Sequence, residues 1–417
     1  MKKVVIIGGG IIGLYSALFL KKEGCDVTLL ERSSESDEIS SSYGNAGMIA
    51  PSHFVPLAAP GIISKGLKWM LDSTSPFYIK PRLNWDLISW GIKFMQSATK
   101  ENVNRSMKYL IDINLASLQL YQQFAKEAAF DFNYKNAGLL MLCKTHQAKK
   151  EEEKMGLIAR DFGLPVTFLN KEELNQIEPH VNPDIIGAVK YSGDGFLNPQ
   201  KLMAGLKKQL KSEGVKMNYG IDITDFETLG NKIKSVRSAK KQYNADEFVI
   251  AGGVWSTELV KKLKLKIPMQ GGKGYNVTIE NPVTKINFPA ILVEAKSAVS
   301  PFLNQLRLAG TMEIDGYNLE INKKRVNTIV KTTAEYYKFK DDQAFYTAKP
   351  WSGLRPVTPD GLPYIGRIKS FNNLSLATGH AMLGLSMAPI SGKLIAEIIS
   401  EKQLSFDISR MVPERFS

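Results

Sequence analysis

The sequence predicts an α/β protein, a doubly wound, Rossmann-like domain joined to a second domain of mixed, largely antiparallel sheet with helices. Three observations carry this. A glycine-rich turn, Gly8-x-Gly10-x-x-Gly13, follows an apolar run and opens a helical pattern at the N-terminal end. The region from Pro268 to about Ala348 breaks into short alternating stretches, Tyr275 to Ile279, Ala290 to Glu294 and Leu306 to Met312, separated by turns rich in Pro, Asn and Gly. A second glycine-rich turn, Gly379 to Gly384, leads into a helix with an apolar stripe.

In the first element, Val4 to Ile7 suits a buried parallel strand. Gly8 allows the tight turn, Gly10 lets the backbone approach a pyrophosphate, and Gly13 lets the helix pack close to the strand. Ile11 and Ile12 begin that helix, whose free N–H groups and positive dipole end face the phosphates. Gly24 ends it and Val27 to Leu30 returns as a second strand. Glu31 then falls where an acid holds ribose hydroxyls, with Arg32 beside it. The uncharged run Val4 to Leu20 behind Lys2 and Lys3 also suits a signal or anchor segment. Its glycines weaken a spanning helix, and no small-residue cleavage site follows.

With 417 residues and 44% hydrophobic content the chain can bury large cores and divide into two or three domains. Cys25 and Cys143 form no C-x-x-C pair, which fits a reducing cytoplasm. The four histidines lack ligand spacing, so no metal site is expected. The net charge of +13 is spread over pairs such as Lys149-Lys150 and Lys207-Lys208, without the aromatic interleaving of a nucleic-acid module. It implies solvated surface and no nucleic-acid partner, with peripheral contact on an anionic membrane face left open.

A polar run follows Arg32. It ends in Ser41, Ser42, Tyr43, Gly44, Asn45, Ala46, Gly47 and Met48, hydroxyls and small residues suited to a backbone laid against phosphates and a flat ring. From Val55 to about Arg82, Pro56, Pro60, Pro76 and Pro81 prevent long helices. Helices are expected from Trp85 to Ser97, along the face Val103 to Ala125 with Tyr121 in the core, and from Thr145 to Phe162. Asn170 and Glu173 form a capping box, and Asn198-Pro199 starts a helix to Lys211. The strand Phe248 to Ala251 enters Gly252-Gly253, as where a backbone crosses near a bound dinucleotide. Gly271-Gly272-Lys273-Gly274 lacks the spacing of a phosphate loop.

The ordered words GGGIIG, SYGNAGM, GLRPVTPDGLPYIG and TGHAMLG resemble the D-amino-acid oxidase-like superfamily of FAD amine oxidoreductases, and SYGNAGMIAPSHFVPLAAPG is most similar to its D-amino-acid dehydrogenase branch. The resemblance implies noncovalent FAD, since neither cysteine lies in the C-terminal word used for a covalent flavin link. It implies an FAD-binding domain of residues 1–55, 152–265 and 350–417, and a substrate domain of 56–151 and 266–349. Flavin contacts are implied at Ser41, Ser42, Asn45, Ala46, Gly47 and Met48, an adenine contact at Ile223, and flavin-edge contacts at Gly379, His380, Ala381, Met382, Leu383 and Gly384, with Leu385 and Ser386 opening the helix.

Arg355 matches the family's carboxylate-binding arginine, and its planar fork suits that task as a lysine does not. Tyr275 and Tyr317 are candidates for lining the substrate site. His53 and His380 are candidates for taking a proton from the substrate ammonium, or for structural hydrogen bonding. Glycine oxidases carry a Tyr where this chain has Ala298 and an Arg where it has Met382, so glycine is not the expected substrate. The implied reaction is hydride transfer from a D-amino acid to flavin N5. Oxidation of a cyclic secondary amine such as cis-4-hydroxy-D-proline, and a non-catalytic flavin subunit, stay open. The electron acceptor is a quinone of the respiratory chain or oxygen, and the location cytoplasmic, with peripheral contact on the inner membrane face left open.

Overall fold

A computed structural model describes residues 1–61, 75 and 77–416. Half of the proline-broken stretch expected from Val55 to Arg82, residues 62–74 and 76, lies outside the described residues. Two large sheets organise the rest. In the first, Lys3–Ile7 pairs in parallel with Asp26–Leu30 on one side and Glu247–Ile250 on the other, Leu374–Thr378 continuing the parallel order. Lys216–Asn218 and the antiparallel Tyr364–Arg367 form its edges. Strands far apart in sequence thus become neighbours, and the glycine turn after Ile7 lies at the carboxyl end of the sheet, where such folds bind ligands.

Among the described residues the second sheet has nine strands, of which Trp351–Val357, Gln270–Glu280, Gln305–Ile314, Ser297–Phe302 and Ala290–Leu292 run antiparallel in that spatial order. Leu139–Cys143 joins in parallel, and Gly187–Tyr191 and Val166–Asn170 close the far edge. The mixed, largely antiparallel character matches the expectation. Its boundaries do not coincide with those read from the sequence. Val166–Asn170, Gly187–Tyr191 and Trp351–Val357 fall within the stretches expected in the first domain, yet all hydrogen-bond into the second sheet. The division at 152 and 350 is therefore corrected by sheet membership, because pairing partners far away in sequence decide which sheet a short apolar run joins.

Local signals held where chemistry is local. Asn170 and Glu173 make both bonds of a capping box, and Asn198 caps the helix Pro199–Ser212. The helix expected from Leu385 instead begins at Ala388 with Pro389 in its first turn, because residues 381–387 form turns. Lys100–Glu127 was expected with the second domain. It packs on the helices of the first, with Tyr121 fully buried edge-on to Tyr15 and its hydroxyl donating to Leu385 O at 2.8 Å. The helices Ile11–Lys22 and Ala388–Ile399 approach so closely at Gly392 that an added Cβ would lie 2.5 Å from the Tyr15 carbonyl carbon.

That approach is testable by a pair of substitutions. Gly392→Ala should cost about 1–3 kcal/mol by overpacking and lower the thermal unfolding midpoint. Gly91→Ala, on a helix where nothing lies within 4 Å of the added Cβ, should be neutral or stabilising by up to about 1 kcal/mol. Equal midpoints for the two variants would show that the helix crossing is not tight.

Candidate active site

A cavity of about 760 Å³ runs between the two sheets, from the first glycine turn to Arg355. At its first end, Gly8 has φ +117° and a Cβ there would meet Ala251 O at 2.5 Å, while a Cβ on Gly13 would meet Gly8 O at 1.9 Å. Those two glycines shape the turn. Gly10 differs, because its Cβ would meet only the hydroxyls of Ser40 and Ser42, at 3.3 and 3.6 Å. Its backbone is open to the cavity. The Ile11 N–H donates to Ser42 Oγ at 3.0 Å, and Ile12 lines the wall. Glu31 accepts from the N–H groups of Gly9 at 2.6 Å and Ser33 at 2.9 Å, which fixes its carboxylate at the cavity edge. Arg32 lies over the Trp255 ring at 3.8 Å, beside Ile223 in the wall.

The loop from Ser40 to Met48 forms the long side of the cavity and is fastened from the second sheet. Arg307 donates from Nη1 to Tyr43 O at 2.9 Å and Asn45 O at 2.6 Å, Asn276 donates to Gly44 O at 3.1 Å, and Ser300 to Ala46 O at 2.7 Å. In return Ser41 donates to Leu354 O at 2.6 Å, one residue before Arg355. Trp351 lies where a Cβ on Gly44 would stand, 2.0 Å from its ring.

Arg355 reaches into the opposite end. It is half-buried, with Nη1 donating to Thr311 O at 2.7 Å, and among the described residues no carboxylate lies within ion-pair distance. Burial alone pulls its pKa down to about 10, so it remains a cation near neutral pH. Gly274, on the adjacent strand, leaves the room the guanidinium occupies, since a Cβ there would lie 2.2 Å from Nη1. Thr311 is itself left-handed, φ +61°, and among the described residues its buried hydroxyl has no partner.

The cavity wall includes Gly8, Gly10, Glu31, Arg32, Ser41, Ser42, Asn45, Ala46, Met48, Ile223 and Arg355, and, from the turn before the last helix, His380 to Leu385. Gly13, Gly47, Gly379 and Ser386 are not in the wall but hold it. A Cβ on Gly47 would strike Leu197 O at 2.2 Å, Gly379 has φ +82°, and Ser386 Oγ donates to Asn114 at 2.7 Å and accepts from Ala50 N at 3.1 Å. Tyr317 is corrected. It lies outside the wall, bonded to Thr257 and Glu258 and stacked on Trp255 near the Arg32 end, because its turn crosses to the first domain. Tyr275 borders the cavity, but its hydroxyl donates to buried Glu313 at 2.7 Å. The His380 ring is buried against Ser391 Oγ at 2.9 Å and burial pulls its pKa to about 3, a structural arrangement. His53 borders the cavity with one ring nitrogen free of protein partners among the described residues.

Arg307, Gly274, Trp351 and Thr311 were not legible as site residues. Their roles depend on which strands become neighbours, and only the glycine at 274, inside a strand pattern, gave a hint of close approach. Taken together, an open glycine backbone at a helix start, a fixed acid after the second strand and an elongated cavity fit a dinucleotide laid with its far ring system toward Arg355.

The comparisons agree. The profile described as FAD dependent oxidoreductase matches residues 3–398. A D-amino acid dehydrogenase of Helicobacter pylori is 32% identical over 401 residues, 95% of this chain and 94% of its own. The glycine oxidase of Geobacillus kaustophilus is similar in fold at 22% identity, TM-score 0.79, covering 100% of both chains. The L-proline dehydrogenase of P. horikoshii is similar at 21% identity, TM-score 0.74, covering 100% of this chain and 97% of its own.

Gly10→Val separates fold from cofactor. Its Cβ meets only two serine hydroxyls, so the variant should fold with a near-normal unfolding midpoint yet purify with little FAD, read from the flavin absorbance per protein. Normal flavin content would place the phosphates elsewhere.

Proposed function

Since the chain belongs to the FAD-dependent oxidoreductase family, we propose that it oxidises the α-carbon of a D-amino acid, giving an imine that water converts to a 2-oxo acid. The observation that carries this is Arg355, a half-buried guanidinium in the cavity wall whose hydrogen-bond partner among the described residues is one backbone carbonyl. A cation partly withdrawn from water without a counter-ion carries a desolvation cost, which a substrate carboxylate offsets by pairing in the cavity. FAD, when bound, supplies the acceptor for the hydride. The chain supplies orientation. Thr311 O holds one edge of the guanidinium, Gly274 gives it room, and its remaining N–H groups are left to grip a carboxylate.

The D-configuration rests on the name of the Helicobacter relative. A cyclic secondary amine is a second reading, favoured by the small side chains of Ala298 and Ala309 in the cavity floor. A merely flavin-carrying subunit would have no use for the unpaired Arg355. Cys25 and Cys143 are buried and outside the cavity wall, which supports noncovalent flavin.

On the acceptor side, the helix Trp85–Ser97 packs on the cavity wall through Trp90, whose ring N–H donates to Val357 O at 2.9 Å, and through Phe94. Its other face exposes Trp85, Ile88, Ile92 and Met95 at steps of three and four, with Leu83 just before. Among the described residues no helix is long and apolar enough to cross a membrane. An apolar face on a chain of net charge +13 supports peripheral contact with an anionic bilayer that holds a quinone acceptor.

Arg355→Lys keeps the charge but loses the fork. It should stay yellow and folded while kcat/KM falls about thirty-fold to several-thousand-fold, matching a loss of about 2–5 kcal/mol for one partner of a buried pair. Gly274→Ala, which crowds the same guanidinium, should also lower kcat/KM, through a raised KM. Wild-type kinetics in Arg355→Lys would remove the carboxylate clamp. For the membrane face, Trp85→Asp with Ile88→Asp should abolish co-sedimentation with vesicles containing anionic phospholipid and leave dye-coupled turnover intact. Undiminished vesicle binding by that variant would exclude this helix.

A further inference from the structure

His53 borders the main cavity and also a smaller one of about 190 Å³ that shares Leu57, Ala381, Met382 and Leu383 with it. Behind it lies a short chain of polar groups in an otherwise apolar region. Ser52 Oγ is 3.3 Å from His53 Nδ1 and donates to Asp194 Oδ2 at 2.5 Å, while the Ser52 N–H donates to Asp194 Oδ1 at 3.3 Å. Asp194 is only 2% exposed, and among the described residues no cation lies within ion-pair distance of it. The single hydroxyl hydrogen of Ser52 points to Asp194, so Ser52 Oγ accepts from His53 Nδ1–H. That fixes the tautomer and leaves Nε2 with a lone pair. Nε2 has no hydrogen-bond partner among the described residues and is not one of the buried, unpartnered atoms.

We propose, resting on the amino-acid reading above, that His53, Ser52 and Asp194 form a relay that takes the proton from the substrate ammonium before its α-carbon is oxidised. The nitrogen–hydrogen bond breaks with its electrons left on the substrate nitrogen, and the proton goes to His53 Nε2. Nδ1 passes its own proton to Ser52 Oγ as that hydroxyl passes its hydrogen to Asp194 Oδ2. The carboxylate becomes a carboxylic acid and nothing is oxidised or reduced. The proton then leaves through the smaller cavity, which Ser52, Tyr191 and Glu152 also line.

The electrostatics suit this division of labour. Burial pulls His53 down to about 4, so the imidazolium only passes the proton on, while burial pushes Asp194 up to about 7 against the two Ser52 bonds, so the proton rests there. The titratable groups facing Asp194 are His53, Tyr191, which burial raises, and, beyond Tyr191, Glu152 on the helix His146–Asp161, also raised by burial. None of them is a competing cation at neutral pH. An Asp194 of ordinary acidity would be too weak a base to hold the proton near neutrality.

The relay works only above the pKa of Asp194, so wild-type kcat/KM should fall as pH drops through about 7. Asp194→Asn keeps the size and can accept one of the two Ser52 bonds, and His53→Gln removes the entry point. Each should lose about a hundred-fold in kcat/KM at pH 7, the lower range for a general base. The loss should shrink about tenfold per pH unit and vanish near the pKa of the substrate ammonium, where solution already supplies the free amine. Separately, infrared difference spectra of the protein without substrate should show a carboxylic-acid carbonyl band that titrates near pH 7 and is missing in Asp194→Asn. A loss equal at every pH, or no such band, overturns the relay. If wild type bleaches its flavin with no amino acid at all, the amino-acid reading fails instead, and the infrared band still decides whether Asp194 holds a proton.

Discussion

The buried guanidinium of Arg307 is the interaction on which the rest of the site depends. It stands on the Gln305–Ile314 strand of the second sheet, 3% exposed, and donates to two carbonyls of the loop at Tyr43 and Asn45 and to Thr278 Oγ1. Burial lowers its pKa to about 10, yet near neutrality it remains charged. Each bond from a charged donor contributes roughly 1.5–3 kcal/mol, and together they offset the desolvation of the cation. With Asn276 and Ser300 on the two neighbouring strands, these three strands turn four loop carbonyls toward the second sheet and fix the separation of the two sheets along the cavity.

Fixing that wall stores strain next to it. Among the described residues seven non-glycines have left-handed φ, and three of them, Lys296, Thr311 and Ala381, line the cavity. Thr311 is the costliest, because a β-branched side chain is disfavoured there and its hydroxyl is buried unpaired. The register between Gln270–Glu280 and Gln305–Ile314 shifts at this point, the geometry of a β-bulge. The shift turns Thr311 O toward Arg355. Ala381 behaves alike on the other side, its N–H donating to Pro356 O at 2.9 Å. Both left-handed residues thus bond to the strand end that carries Arg355.

What could be read from the sequence was what local chemistry fixes. Gly13, Asn170 and Asn198 each act within a few residues of themselves, and Gly8 also through its own left-handed φ, so their roles followed from spacing. Arg355 was legible through its surrounding words. The direction of a side chain relative to a distant strand was not. Tyr317 and Tyr275 look alike in sequence, yet one crosses to Trp255 and the other faces Glu313. His380 sits in a flavin-like turn, but Ser391 on the following helix takes its ring. Asp194 gave no signal, because a lone acid in a turn becomes informative only once Ser52, 142 positions earlier, is found against it.

Arg307 and Arg355 show how the same side chain serves structure or ligand according to how many of its donors the protein uses. Both are held by the Gln305–Ile314 strand, one rooted in it and the other bonded to Thr311 O, and neither has a carboxylate within ion-pair distance among the described residues. Arg307 places three hydrogen bonds on protein acceptors, leaving little for a ligand. Arg355, in the cavity wall, places one, on its Nη1, and its other N–H groups have no protein acceptor among the described residues. A fully bonded guanidinium in that position would stabilise the empty protein and compete with any anion. An unbonded one would drift among rotamers and lose orientation. One anchoring bond with the remaining edge free is the arrangement that leaves charge available without leaving it loose.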